Sequence, residues 1–164
     1  MLFYQGKKEK LLCKKTKGGG KILSYMPKSK KQEHITPDEI FKIIEKKWQI
    51  KKEQFYDPCP VGTPYKSPCF FNGLYGKWMR FNYVNPMYAK KPLTEFVHKT
   101  LKELVHGSES VMLLPTKTDQ PWFKLLWTMG FIDKDNTIWI DHRLKFKNNK
   151  HQATGSHFLV RIGF

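Results

Sequence analysis

Apolar residues recur at helical spacing in Ile40, Phe41, Ile43, Ile44 and Trp48, which predicts a helix over 37–48. Thr36 before Pro37 reads as its N-cap with proline at the first helical position. Gln54-Phe55-Tyr56 predicts a short strand that ends in Asp57-Pro58-Cys59-Pro60, and 58–76, rich in Pro and Gly, predicts a loop. Phe81–Val84 predicts a second strand, closed by Asn85-Pro86-Met87-Tyr88. Phe96, Val97, Leu101, Leu104 and Val105 share one side of a helix expected from Pro92 to His106, with Gly107 as its stop. Ser110–Leu114 reads as an apolar strand closed by Pro115. Gln120–Met129 reads as a short helix stopped by Gly130, and Thr137–Ile140 and His157–Gly163 as strands. Alternating strands and helices predict a layered α/β fold with a mostly parallel sheet. The last two strands have no helix between them, which predicts a C-terminal antiparallel hairpin.

Residues 1–33 break this pattern. They hold ten Lys and two acidic residues, a net of +8 out of the whole chain's +16. The segment reads as a basic arm, with a short strand at Ile22–Tyr25 as its one ordered candidate, ahead of a domain over 34–164. The total of 164 residues suits one core. No apolar run approaches the ~20 residues of a bilayer span, so no membrane association by spanning is expected. The N-terminus lacks a signal-peptide apolar block, and three cysteines fit a reducing, intracellular setting: host cytoplasm, nucleic acid or a virion.

Charge changes the picture most. Thirty basic against fourteen acidic residues attract polyanions, and only Arg80, Arg143 and Arg161 are arginines. Lysine suits phosphates more than base edges, so the composition points either to backbone attraction or simply to an AT-rich genome. Cys59 and Cys69 do not have a zinc spacing, and no metal site is expected. Asp119 with Trp122 reads as a helix start beside a core Trp.

The best candidate chemistry lies where strands end, because open α/β sheets bind ligands there. Asn85 offers a side-chain carbonyl, and Pro86 a backbone carbonyl without a competing donor. Two acceptors suit an exocyclic amino group, and Tyr88 offers a ring to stack on a base. The alternative is a bland Asn-Pro turn.

Several stretches, taken in order, carry a resemblance. They are Thr36-Pro37, Asp57-Pro58-Cys59, Asn72-Gly73-Leu74 before Trp78, Asn85-Pro86-Met87-Tyr88, Val111-Met112-Leu113-Leu114-Pro115, Thr116-Lys117-Thr118-Asp119, Trp122-Phe123 and Arg143-Leu144-Lys145-Phe146. Over roughly 35–164 the chain resembles the phage-type DNA N-6-adenine methyltransferases, a Dam-like family. The resemblance implies a class I (Rossmann-like) methyltransferase fold with S-adenosyl-L-methionine as cofactor. It implies cofactor binding by Thr36, Pro37, Asp57, Pro58, Cys59 and Asn72, and catalysis by Asn85, Pro86 and Tyr88. A substrate contact at Asp119 and Trp122 is what the resemblance alone implies. Met87 stands where the family has a second Pro; that position supplies no functional group, only stiffness. DNA is the implied partner, with RNA open, and Lys66, Lys77, Arg80, Arg143 and Lys145 are the candidates to contact it. The competing expectation is an inactive protein of the same fold, kept as a basic nucleic-acid-binding or assembly module.

Overall fold

The computed structural model describes residues 34–62 and 72–163. The basic arm, the strand at 22–25 and Lys66 lie outside these residues. Among the described residues three α-helices and four strands follow in the order α1 (Asp38–Trp48), β1 (Phe81–Val84), α2 (Lys90–Val105), β2 (Glu109–Pro115), α3 (Pro121–Thr128), β3 (Thr137–Trp139) and β4 (His157–Ile162).

The sheet order is β1-β2-β4-β3. β1 and β2 are parallel, with Phe81 beside Glu109 and Val84 beside Met112. β4 runs antiparallel to both β2 and β3. The sheet is therefore mixed, which corrects the expectation of a mostly parallel one. The cause is the link from 140 to 156: it holds no helix to carry the chain back across the sheet, so β4 returns in the opposite direction. The expected hairpin is present as β3–β4, with β4 inside the sheet and β3 at its edge.

The strand expected at Gln54–Tyr56 shrinks to one parallel bridge, Tyr56 to Asn82. The side chain of Gln54 accepts from the Lys51 amide at 2.8 Å, which closes a 3-10 turn over Lys52–Gln54 before any ladder can start.

β1, β2 and β4 bury both faces, as their near-continuous apolar runs require, while the edge strand β3 leaves Trp139 exposed. Val84, Met112, Leu114, Phe158, Val160 and Ile162 pack on α2 and α3. Tyr83, Val111, Leu113 and Leu159 pack on Ile40 and Ile44 of α1 and on Leu144 and Phe146. Trp122 is 2% exposed and belongs to the first of these clusters, while Asp119 is exposed and caps nothing. Both expected helix stops hold. Gly107 (φ 85°) and Gly130 (φ 78°) take the left-handed conformation. Each is followed by a residue whose amide reaches back a full turn, Ser108 to the Glu103 carbonyl and Phe131 to the Leu126 carbonyl.

Candidate functional site

β1, β2 and β3 all point their carboxyl ends the same way, and the turns that follow β1 and Tyr56 meet at that end. Asn85 leaves β1 there. Its Nδ2 donates to the His34 carbonyl at 2.8 Å and to Thr36 Oγ1 at 3.1 Å. A carbonyl can only accept, so this pair of bonds fixes which way the amide faces. Thr36 Oγ1 also bonds the Tyr83 hydroxyl at 3.1 Å. Thr36 is thus not the helix cap it resembled. Pro37 is the N-cap residue of α1 and has no side-chain oxygen to cap with, and the Thr36 hydroxyl one residue earlier bonds Asn85 and Tyr83 instead.

Asn85 Oδ1 is buried and has no hydrogen-bond partner among the described residues. An unpaired buried carbonyl costs roughly 1–3 kcal/mol, and a bound N–H would recover it. Two cavities meet at Asn85. One, ≈40 Å³, is walled by Pro58, Cys59, Asn72, Met87 and Phe96. The other, ≈190 Å³, is walled by Thr36, Asp57, Tyr83 and Lys147. A third, ≈490 Å³, opens beside Tyr88, Phe146 and His157. His34 lines all three and stands at their junction.

The Asp57-Pro58-Cys59 turn is built by its own acid: Asp57 Oδ1 accepts from the Cys59 amide at 2.8 Å. Asp57 opens to solvent across its cavity, yet the surrounding protein desolvates the carboxyl and raises its pKa. Burial pushes the Cys59 thiol well up; the Asp57 charge adds to this and the Asn85 backbone amide opposes it. Gly73 seats the Asn72 loop on this turn. Its amide donates to the Pro58 carbonyl at 3.0 Å, and a Cβ there would fall on Pro58 itself. Asn72 spends its side-chain oxygen on the Leu74 amide at 3.1 Å and borders the small cavity.

Tyr88 is half-buried, and its hydroxyl reaches the Leu113 carbonyl at 3.4 Å. Burial raises its pKa far above the ordinary phenol value. The register explains the contact. β1 ends opposite Met112, so β2 projects past it and the 85–88 turn folds over onto the projecting part. His34 stacks on Phe146 with centroids 4.3 Å apart, and its Nδ1 meets Asn149 Nδ2 at 3.0 Å.

The fold therefore brings Thr36, Asp57, Pro58, Cys59 and Asn72 to the two cavities at Asn85 and places Tyr88 on the neighbouring one, while Pro37 and Pro86 adjoin Thr36 and Asn85 along the chain only. It does not bring Lys77 and Arg80 to them. Both precede β1 and lie at its amino end, with the Arg80 guanidinium 5.2 Å from the Phe81 ring. Arg143 and Lys145 are exposed and alternate with buried Leu144 and Phe146, the latter a wall of the large cavity. His34 and His157 also line the site and have no marker in the local sequence, whereas Phe146 lies in the Arg143-Leu144-Lys145-Phe146 stretch. Among the described residues no group of three or more His, Cys, Asp or Glu side chains could hold a metal ion, and no helix is long and apolar enough to cross a membrane.

Comparison with known proteins found no matching family model, no matching curated protein and no matching solved structure.

Proposed function

We propose that this chain transfers a methyl group from S-adenosylmethionine to adenine N6 in DNA, as a member of the phage-type N-6-adenine methyltransferases with a class I fold. One observation carries the reading: Asn85 has its amide nitrogen pinned by two acceptors and its carbonyl oxygen buried and unpartnered at the end of a parallel strand. An acceptor held in one orientation at a strand's carboxyl end suits an N–H donor arriving from outside the protein.

The donor set fits the cofactor in kind. The Asp57 carboxylate suits hydroxyl or ammonium groups, and Pro58 and Phe96 offer apolar walls for an adenine ring. Either cavity at Asn85 is smaller than the cofactor, so its binding requires the shared walls at Val61 and Cys59 to part. The bound cofactor supplies an electrophilic sulfonium methyl. The rest falls to the protein. Asn85 Oδ1 accepts one N–H of the target amino group, and the Pro86 carbonyl accepts the other. These bonds concentrate the lone pair on nitrogen rather than in the ring. The Tyr88 ring stacks on the extruded base. Thr36 and the His34 carbonyl keep the Asn85 amide from flipping. Arg143 and Lys145, exposed on the strip that backs the site, meet phosphates.

Met87 and the net charge of +16 favour a second reading, an inactive protein of this fold that binds nucleic acid. Transfer of isotope-labelled methyl from S-adenosylmethionine to unmethylated duplex DNA separates the two. The enzyme labels DNA and Asn85→Ala abolishes the label. The inactive protein leaves DNA unlabelled but binds it with a steep dependence on salt, which Asn85→Ala does not alter.

A further inference from the structure

The space beside Tyr88 is already filled by a ring of the chain itself. His34 stacks on Phe146 with centroids 4.3 Å apart and planes 22° apart, and its ring lies 5.2 Å from that of Tyr88. The other histidine at Tyr88, His157, stands at 5.3 Å. These separations are at or below those of rings in direct contact, about 4.5–7 Å. No flat group fits between Tyr88 and either histidine while both stay where they are.

His34 is the neighbour placed to leave. His157 is the first residue of β4 and 3% exposed, and Phe146 is 1% exposed in the cluster that packs on α1. Moving either one breaks the core. His34 is half-buried and lies ahead of α1, outside any helix or strand. Its ring makes one hydrogen bond among the described residues, Nδ1 to Asn149 Nδ2 at 3.0 Å. Its backbone is held separately. The His34 carbonyl accepts from Asn85 Nδ2 at 2.8 Å. The Ile35 amide donates to Asn148 Oδ1 at 3.0 Å, and the Ile35 carbonyl accepts from the Lys147 amide at 3.0 Å. Rotation about the His34 Cα–Cβ bond thus carries the imidazole away from Tyr88 without loosening Asn85. His34 lines all three cavities, so the same rotation removes a wall common to them.

We propose that the His34 side chain is a built-in plug: its imidazole occupies the stacking slot on Tyr88 and keeps the site closed until the flat ring of a ligand takes its place. The proposal rests on the reading of Tyr88 as the stacking ring and concerns how that site opens. Plug and ligand compete for one place, so the apparent affinity falls by the fraction of molecules that stand open. An aromatic stack and one hydrogen bond together favour the closed form by about tenfold. His34 is therefore neither a catalytic nor a ligand-holding side chain, and its removal is expected to strengthen binding.

The full chain and two variants are titrated with 2-aminopurine deoxyriboside, a nucleoside without phosphate whose fluorescence falls on stacking. His34→Ala keeps the backbone carbonyl and removes the plug, and is expected to bind about tenfold more tightly than the native chain. His34→Phe keeps a flat ring in the slot and is expected to bind no more tightly than the native chain. A readout that needs no variant to fold is the proton resonances of the His34 ring. They are expected upfield in the free native chain, over the face of Phe146, and to move toward ordinary values as the nucleoside is added. Equal or weaker binding by His34→Ala overturns the proposal, as do equal gains in both variants, unmoved His34 resonances, or no binding at all. Methyl transfer to DNA is assayed on the same proteins. A native chain that methylates DNA while His34→Ala binds no more tightly removes the plug and leaves the enzyme. Tighter binding by His34→Ala in a chain that transfers no methyl sustains the plug and removes the enzyme.

Discussion

Asn85 works through residues that the sequence holds far from it. Thr36 lies 49 positions away and His34 lies 51 away, yet together they hold its amide. Replacing Thr36 by Val keeps the shape and removes one of the two acceptors. Methyl transfer is expected to fall about tenfold to a hundredfold, because small misplacements of a positioned group are costly. Stability is expected to change by about 1 kcal/mol, the net worth of an ordinary hydrogen bond. Single-turnover rates beside urea denaturation of the same variant check both halves. A fall in stability without a fall in rate would mean that Thr36 serves the fold alone. Among these residues, the Asn-Pro turn was legible from its punctuation. The contact of His34 with Asn149, 115 positions apart, left no local signal at all.

At the scale of elements, the loop around Gly73 and the turn at Pro58 behave as one unit. Trp78 Nε1 bonds the Gly73 carbonyl at 2.7 Å, and the Trp78 amide bonds Glu103 of α2 at 3.2 Å. Glu103 is held in place by Lys99 of the same helix at 2.6 Å, and it is the hydrogen bond from Trp78 to Glu103 that ties the 72–78 loop to α2. Gly73→Ala pushes a methyl into Pro58 and is expected to destabilise the chain by about 1–3 kcal/mol, measured as a lower urea midpoint. Helices and their stops were readable in the sequence because Ile40, Ile44, Gly107 and Gly130 act within one or two turns. Strand direction was not readable. His157–Ile162 is an apolar run that serves either direction, and its antiparallel course is set by the helix-free link before it. Residues 54–56 misled for another reason: β-favouring Phe55 and Tyr56 follow a Gln54 that closes a turn on Lys51.

For the whole molecule, His157, His34 and Asp38 are three of the groups through which stability responds to acid. His157 is held neutral when folded, with its pKa lowered from 6.5 to about 4. Below pH 6.5 the unfolded chain takes up a proton that the folded chain refuses. Stability present above pH 6.5 is therefore lost as pH falls toward 4, by about 3 kcal/mol in total. The pKa of His34, lowered by burial, acts in the same direction. Asp38 adds a separate, lower step. Lys147 and Lys52 hold its carboxyl down to about 2, so its contribution survives at pH 4 and fades only below the usual carboxylate range. Urea midpoints from pH 7 to pH 4 check the first step, and His157→Phe is expected to flatten it. In the proposed reaction the orphaned oxygen of Asn85 receives the amino group of adenine for methyl transfer. Nucleoside mass spectrometry of unmethylated duplex DNA, incubated with the full chain and S-adenosylmethionine, tests it most directly. N6-methyldeoxyadenosine from the native chain and none from Asn85→Ala is the expected result. A folded native chain that yields no N6-methyldeoxyadenosine, or an Asn85→Ala variant that yields as much as the native chain, contradicts it.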